Sequence, residues 1–347
     1  MHAIVTDAYG KVRVINVWEN KVICTIGGSD DEISDKNWRI GGLYMINPDE
    51  AAVIHDSGKA SFFEFQNNTR KSILDIGEQA KSFSLHGYQD KLVGCFNGYV
   101  AVFNEEKVIT KFDTIKASCA NSFENLAAYG RINDRCVVYD VEQQKDIWTS
   151  APPPNDELGI PLKDDDSSIE FYNDKMFLVG QAQGGVLVYD LRAGSEPIVR
   201  AKVFEEFPAI VMRNFGDNIF AFGDTSGQFR YGHVEYDEEK DKITNVKVDR
   251  SFYGMTGGIV DLAKHPSAPI VASLCCSRTI HLFDTSKTLK EAAKVAYTKV
   301  MPTCFVLRND ELPNEDSSEA DWDALPENGE GIWDNYTPCP QSKKNKE

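Results

Sequence analysis

The amino-acid sequence predicts an all-β fold, a seven-bladed β-propeller, from three observations. Apolar residues recur with a period of two, the spacing of a strand that buries one face. Clusters of Gly, Asn and Asp separate the apolar runs, as turns between strands require. A unit of two strands joined by such a turn recurs seven times before Arg308. Units of ~40–45 residues, the length of a four-stranded propeller blade, account for that part of the chain.

Each unit is an apolar strand, a turn and a second strand that often ends in an aromatic residue followed by Asp or Asn. In chain order the paired runs are 3–5 with 12–14, 51–54 with 62–63, 91–94 with 100–104, 126–129 with 137–140, 177–180 with 187–190, 219–223 with 229–231 and 270–273 with 279–284. The last unit, from His265-Pro266 to Phe283-Asp284, matches a WD repeat, with Phe283 where Trp is usual. The units therefore predict a WD-repeat propeller, and an array of unrelated β-sandwiches is the alternative.

Closure of the ring is predicted from the two ends of the repeat array. The first unit begins at Met1 in what would be the second strand of a blade, so the first blade lacks its innermost strand. A spare strand, residues 303–307, follows the seventh unit. Pairing of this strand with the first blade would remove two exposed sheet edges. We therefore predict a propeller domain over residues 1–309.

The composition changes after the predicted closing strand. Residues 308–347 hold 11 acidic residues and four basic ones, with few apolar side chains apart from scattered aromatic ones. Such a segment cannot bury a core, so we predict an acidic, flexible and disordered tail over residues 310–347. Its Trp322 and Trp333 are candidate protein-binding residues, because buried Trp side chains commonly anchor interfaces.

A Pro-rich connection, residues 151–162, interrupts the regular spacing between the fourth and fifth units. Prolines restrict the backbone and lower the entropy lost on binding, so the loop can present a preformed surface. We predict that Asn155, Asp156, Leu158 and Pro161 bind a protein partner. The alternative is a spacer that only bridges two blades.

Charge and hydropathy exclude several classes of protein. The chain has 37 Lys plus Arg against 54 Asp plus Glu, a formal charge of −17. This balance excludes a polybasic protein that coats nucleic acid, so we predict no DNA partner. No apolar run approaches ~18 residues, so we predict no membrane segment. The eight cysteines are irregularly spaced, which favours free thiols in a reducing compartment over a disulfide framework.

The sequence contains no arrangement typical of an active site or metal site. The six histidines fall in different units without His-x-x-x-His spacing. Neither a Gly-x-Ser-x-Gly elbow nor a Gly-x-x-x-x-Gly-Lys phosphate loop occurs. We therefore predict a protein that is not an enzyme and has no cofactor or metal. The alternative, a propeller hydrolase, requires acidic or His side chains that converge in the central channel.

Three stretches of the chain together resemble one family. They are Ile147-Trp148 with the loop that contains Asn155-Asp156, Leu158 and Ile160-Pro161; Phe207-Pro208-Ala209 with residues 223–228; and Gly257-Gly258-Ile259-Val260 with residues 265–269 and a Trp-containing acidic tail. In this order, over residues 129–312, they resemble the WD repeat-containing protein 74 family and its fungal Nsa-type counterparts. Members of that family are nucleolar factors in large ribosomal subunit assembly.

The resemblance implies a non-enzymatic scaffold of the nucleus and nucleolus, in 60S precursor assembly and rRNA processing. The implied partners are the pre-ribosomal particle, other large-subunit assembly factors and a AAA-ATPase that releases the family, while direct rRNA contact stays open. The family's basic residues near Asn155-Asp156 are absent, and its Lys-rich C terminus is reduced to Lys343, Lys344 and Lys346. A WD-repeat scaffold of another nuclear or cytoplasmic complex is the main alternative, with the propeller hydrolase behind it.

Overall fold

Seven four-stranded antiparallel sheets make up the part of the chain that the computed structural model describes, residues 1–27, 38–130, 135–152 and 165–308. This arrangement confirms the prediction of an all-β, seven-bladed propeller. Helices that could span a membrane are absent from the described residues. The predictions for the acidic tail, 310–347, and for most of the Pro-rich loop concern residues outside these ranges.

The strands follow in chain order, blade by blade. Blades one and two contain β1 (His2–Asp7), β2 (Val12–Asn16) and β3 (Lys21–Ile26), then β4 (Ile40–Asn47), β5 (Glu50–His55), β6 (Lys59–Glu64) and β7 (Thr69–Asp75). Blades three and four contain β8 (Ser82–Tyr88), β9 (Lys91–Phe96), β10 (Tyr99–Phe103) and β11 (Val108–Asp113), then β12 (Cys119–Phe123), β13 (Leu126–Gly130), β14 (Val137–Asp140) and β15 (Lys145–Thr149). Blades five and six contain β16 (Asp166–Phe171), β17 (Met176–Gln181), β18 (Gly185–Asp190) and β19 (Val199–Lys202), then β20 (Ala209–Asn214), β21 (Ile219–Asp224), β22 (Phe229–Asp237) and β23 (Lys242–Phe252). Blade seven contains β24 (Ile259–Lys264), β25 (Ile270–Cys275), β26 (Thr279–Asp284) and β27 (Lys294–Tyr297), and β28 (Pro302–Leu307) follows it.

Strand β28 belongs to blade one, although it is the last strand among the described residues. It pairs antiparallel with β1 in a register that places Ala3 opposite Leu307 and Val5 opposite Phe305. The order of blade one is therefore β28-β1-β2-β3, from the channel outward. Because the first and last described strands meet in one sheet, β1 has a hydrogen-bonded neighbour on each side, which removes an exposed sheet edge.

The hydrophobic core lies between neighbouring blades. Every residue of β5 from Ala51 to His55 is buried, whereas the outer strand β7 alternates between exposed and half-buried residues. Between blades six and seven, the rings of Phe229, Phe252 and Phe283 lie with centroids 4.5–5.5 Å apart. Full burial of each ring contributes roughly 1.5–3 kcal/mol to folding. Apolar packing on both faces of each sheet therefore holds neighbouring blades together.

The inner strand of each blade begins at the same face of the ring, which we call the upper face, and ends at the lower face. Turns between second and third strands, and loops from one blade to the next, lie at the upper face. Six inner strands contain a β-bulge near their start, and among the seven only β12 pairs without one. The bulge residues are Gly41, Phe83, Ser167, Ile210, Val260 and Thr303, and all line the channel. Bulges redirect side chains, and here they shape the upper mouth of the channel.

Candidate functional site

The central channel is the site where the described parts of all seven blades contribute side chains. Residues of each inner strand line a cavity of about 600 Å³. A ligand in this channel would contact several blades at once, which is the usual place for a propeller site.

One level of the channel wall carries most of its polar chemistry. Tyr44, His86, Glu170 and Arg213 occupy equivalent register positions in blades two, three, five and six, opposite Ala52, Val93, Leu178 and Ala221 of the neighbouring strands. The same position is Asn121 in blade four, opposite Ala128, and it is Ala263 or Val306 in blades seven and one. The polar residues therefore form an arc around the channel rather than a closed ring.

Arg213 lies between two carboxylates that come from the neighbouring blades. Its Nη2 is 2.6 Å from Asp261 Oδ1 in blade seven, and its Nη1 is 3.7 Å from Glu170 Oε2 in blade five. The Arg213 side chain is 40% exposed, while those of Glu170 and Asp261 are 14% and 4% exposed. The guanidinium thus faces the channel and covers most of the Glu170 and Asp261 carboxylates, of which Glu170 keeps the larger exposed fraction.

Glu170 has protein donors at both of its carboxylate oxygens. The Asn214 backbone N–H donates to Oε1 at 3.1 Å, and Asn121 Nδ2 donates to Oε2 at 2.8 Å. Burial raises the pKa of Glu170 to about 7, although the Arg213 charge and the Asn214 N–H act in the opposite direction. Its carboxyl therefore changes protonation near neutral pH.

Asp261 has more hydrogen-bond partners than Glu170 at short range, and one of them belongs to the closing strand β28. Besides Arg213, its Oδ1 accepts the Leu262 N–H at 2.9 Å, and its Oδ2 accepts the Phe305 N–H at 3.1 Å. Phe305 belongs to β28, so this carboxylate joins blade seven to blade one. Together, Asn121, Glu170, Arg213, Asp261 and β28 form a polar network across blades four to seven and one.

His86 belongs to an aromatic row at the same level rather than to this polar network. Its ring lies 6.0 Å from that of Tyr44 and stacks at 5.9 Å on that of Phe123, which in turn stacks at 5.9 Å on Phe171. Burial lowers the pKa of His86, so the ring is neutral at physiological pH. The contacts of His86 in this row are with aromatic rings, so His86 and Glu170 do not form an acid–base pair.

The described residues contain no group of three or more His, Cys, Asp or Glu that could hold a metal ion. The network can hold adjacent blades together, and Glu170 can exchange a proton with channel water. Both carboxylates are already hydrogen-bonded by protein donors, an arrangement typical of structural groups.

The protein-binding residues predicted from the sequence all lie outside the described residues: Asn155, Asp156, Leu158, Pro161, Trp322 and Trp333. The sequence reasoning also missed Glu170, Arg213 and Asp261. A signal existed, since each is a charged residue inside an apolar inner strand, as in Ile169-Glu170-Phe171. Only the pairing register of the strands, together with the order of the blades, shows that these three residues lie side by side.

No protein-family model and no curated protein sequence matches this chain. Among solved structures, the β-propeller domain of Cps50 (Swd1) from Myceliophteria thermophila is similar, with a TM-score of 0.64 and 12% sequence identity. The match covers 75% of this chain and 87% of that chain. At this identity the likeness shows the fold alone. Since 1725 chains of solved structures match, the propeller fold does not select one function.

Proposed function

We propose that the protein is a non-enzymatic WD-repeat scaffold that binds protein partners through its upper face during assembly of the large ribosomal subunit in the nucleolus. One observation carries the protein-binding role. Four large apolar side chains are exposed in upper-face loops: Tyr9 (47%), Phe207 (39%), Tyr253 (55%) and Met301 (48%). Soluble proteins rarely expose clustered apolar groups without a partner, and aromatic and Met side chains are enriched at interfaces.

These residues come from consecutive loops around one half of the ring. Phe207, Tyr253 and Met301 lie in the connections that lead into blades six, seven and one, and Tyr9 lies in the β1–β2 turn. The loops of Met301 and Tyr9 are joined, because the Ala8 N–H donates to the Met301 carbonyl at 3.1 Å. A partner surface could contact several of these side chains without any rearrangement of the blades.

Support for the ribosomal role comes from the resemblance to the WD repeat-containing protein 74 family. Two of its motifs lie at the upper face: Phe207-Pro208-Ala209 ends the loop into blade six, and residues 223–228 run from the end of β21 through the β21–β22 turn. A third, Gly257-Gly258-Ile259-Val260, runs from the loop into blade seven to the start of β24. Part of the stretches that carry the resemblance therefore lies at the upper face, whereas residues 265–269 form the β24–β25 turn at the lower face. Assembly factors and a releasing AAA-ATPase are the partners that we propose on this basis.

Affinity purification of the tagged full chain, with identification of proteins and RNA, tests this proposal. We expect large-subunit precursor rRNA and assembly factors to co-purify with the natural chain. The double variant Tyr253→Ser/Met301→Ser should lose them. A matched control, Ile73→Ser/Ile109→Ser, changes side chains that are 42% and 43% exposed on the outer strands β7 and β11, and it should retain them. Recovery of an unrelated protein set without precursor rRNA would support a scaffold of another complex instead.

A hydrolase with its site in the channel is the second candidate, and Glu170 favours it. A carboxyl group with a pKa of about 7 in a water-accessible channel has the proton affinity of a general acid–base group. A panel of chromogenic esters, phosphoesters and glycosides tests this function. Turnover that disappears in Glu170→Gln would establish it, whereas no turnover of any substrate by the natural chain would leave the scaffold proposal standing.

A further inference from the structure

The upper mouth of the channel has an apolar side, which is formed by bulge residues of blades six and seven. Ile210 and Val260 are half-buried there and line the channel. The exposed Phe207 and Tyr253 lie in the loops that lead into the same two blades. The loops beside this side of the mouth therefore also carry exposed apolar side chains.

The opposite side of the mouth, at blades two and three, is cationic. Arg39 precedes β4, and its side chain is 38% exposed. Its guanidinium lies 3.4 Å from both oxygens of Asp56, which is too long for a strong charge-assisted hydrogen bond. The Asp56 carboxylate has closer partners, since Oδ1 accepts both the backbone N–H and the hydroxyl of Ser82 at 2.7 Å. Asp56 thus neutralises Arg39 only in part.

Lys81 is a second cation at this side of the mouth. It precedes β8 and is exposed, and its Nζ lies 4.8 Å from the centroid of the Phe83 ring. Its closest acceptor among the described residues is the Ser118 carbonyl, at 3.5 Å. Partial burial of its ammonium group lowers the pKa of Lys81 and the neighbouring Arg39 charge lowers it further, whereas the Asp56 carboxylate raises it. The single Asp56 carboxylate offsets only part of the repulsion between these two cations, and a second carboxylate beside them would relieve the rest.

We infer that the upper mouth binds a segment of a partner protein in which a carboxylate side chain contacts Arg39 and Lys81 and a large apolar side chain packs on Ile210 and Val260. The inference rests on the proposed protein-binding role and specifies the chemistry of the segment. Blades two and three lie across the channel from blades six and seven, so one short segment must span the mouth to reach both sides. Two cations on a chain of net charge −17 suit single carboxylates better than the dense phosphates of a nucleic acid.

Selection from a random dodecapeptide display library on the immobilised full chain tests this inference. We expect enriched peptides to combine Asp or Glu with a large apolar residue. One enriched peptide, labelled and titrated, should lose about tenfold or more in affinity for Arg39→Glu/Lys81→Glu, because reversal of charges places repulsion where attraction existed. It should also lose affinity for Ile210→Ser. The control Lys91→Glu/Lys107→Glu, near the lower face, should bind like the natural chain.

Two further measurements keep the inference open to refutation if a variant folds poorly. The milder pair Arg39→Gln/Lys81→Gln should weaken binding less than charge reversal, and added salt should weaken binding to the natural chain. Enriched peptides without acidic residues, or affinities that charge reversal leaves unchanged, would overturn the inference. In that case, co-purification of precursor particles would still support the proposed function, whereas failure of that purification would count against the proposed function alone.

Discussion

Arg213 of blade six donates to Asp261 of blade seven across 2.6 Å, on the wall of the channel. The Asp261 side chain is 4% exposed and its other oxygen accepts the Phe305 N–H of the closing strand. The ion pair therefore fixes a contact among three blades at the place where the ring closes.

We expect Arg213→Ala to destabilise the propeller by about 2 kcal/mol. Loss of one partner of a fully buried ion pair costs roughly 3–5 kcal/mol, and the 40% exposure of Arg213 reduces this penalty. Urea unfolding at pH 8, where Glu170 is also charged, measures the change. The control Lys71→Ala removes a surface ion pair with Glu50 and should cost at most about 1 kcal/mol. Equal effects of the two substitutions would contradict a structural role for Arg213.

Because the pKa of Glu170 is raised, we expect the free energy of unfolding to decrease as the pH rises. Its pKa is about 7 in the folded protein, against an ordinary 4.5. Between pH 4.5 and 7 the folded state binds this proton and the unfolded state does not. Protonation of Glu170 therefore adds its full contribution to the free energy of unfolding below pH 4.5, and this contribution is lost as the pH rises through 7. The full effect is at most about 3 kcal/mol.

The variant Glu170→Gln isolates this effect. The difference in unfolding free energy between Glu170→Gln and the natural chain should change in favour of the variant as the pH rises from 5 to 7.5. Denaturant titrations at half-unit pH steps provide the curve. A difference that is flat over this range would show that Glu170 titrates as an ordinary carboxyl.

For His281 we expect a pH effect of the opposite sign, a loss of stability as the pH falls. Its ring is 4% exposed on β26, with Nε2 3.0 Å from the Thr279 hydroxyl. Burial lowers its pKa to about 4, against an ordinary 6.5. The unfolded chain therefore takes up a proton first as the pH falls, and stability is lost between pH 6.5 and 4. His281→Gln should reduce that loss by up to about 3 kcal/mol in acid unfolding curves, and a curve parallel to that of the natural chain would refute the assignment.

Much of the fold was predictable because it depends on local pattern. The second and third strands of each blade are buried on both faces, so their apolar runs and intervening turns stand out in the sequence, as in residues 177–190. The outer strands are less visible: β15 and β19 are short and largely exposed, and exposed strands tolerate any polar sequence. The inner strands contain both polar and apolar residues, because part of each strand faces the channel.

The chemistry of the channel could not be predicted, since it depends on which blades are neighbours. Glu170 and Asp261 are 91 positions apart in the sequence and meet only through Arg213. The bulge residues are equally hidden, because an inserted residue is defined by the pairing of two strands rather than by the residue itself.

Because β28 closes the ring, we expect two truncated chains to differ in aggregation and in melting temperature. A chain that ends after Met301 lacks β28, so the inner edge of β1 should be exposed and the protein should aggregate. A chain that ends after Leu312 keeps β28 and should melt within a few degrees of the full chain, because the composition of the removed segment cannot form a core. Thermal melting and size-exclusion chromatography measure both. Similar behaviour of the two chains would show that β28 adds little to closure.

The Pro-rich loop provides the last prediction. Its flanking strands, β15 and β16, are the outer strand of blade four and the inner strand of blade five, and Thr149 and Asp166, which face the loop, lie at the upper face. The described ends of the two strands that flank the loop therefore lie at the face that we propose as the binding surface. Asn155, Asp156 and Leu158 combine polar groups with one apolar anchor, which is the composition of a modest protein epitope.

Replacement of Asn155, Asp156 and Leu158 together by Ala should leave the melting temperature unchanged, since substitutions in a surface loop rarely cost more than about 0.5 kcal/mol. Recovery of precursor particles in affinity purification should fall sharply, as for Tyr253→Ser/Met301→Ser. If the triple variant recovers the same particles while the Tyr253 variant does not, partners bind the half of the upper face near blades six, seven and one, and the Pro-rich loop only bridges two blades. If both variants fail while Ile73→Ser/Ile109→Ser succeeds, the binding surface extends across the whole upper face.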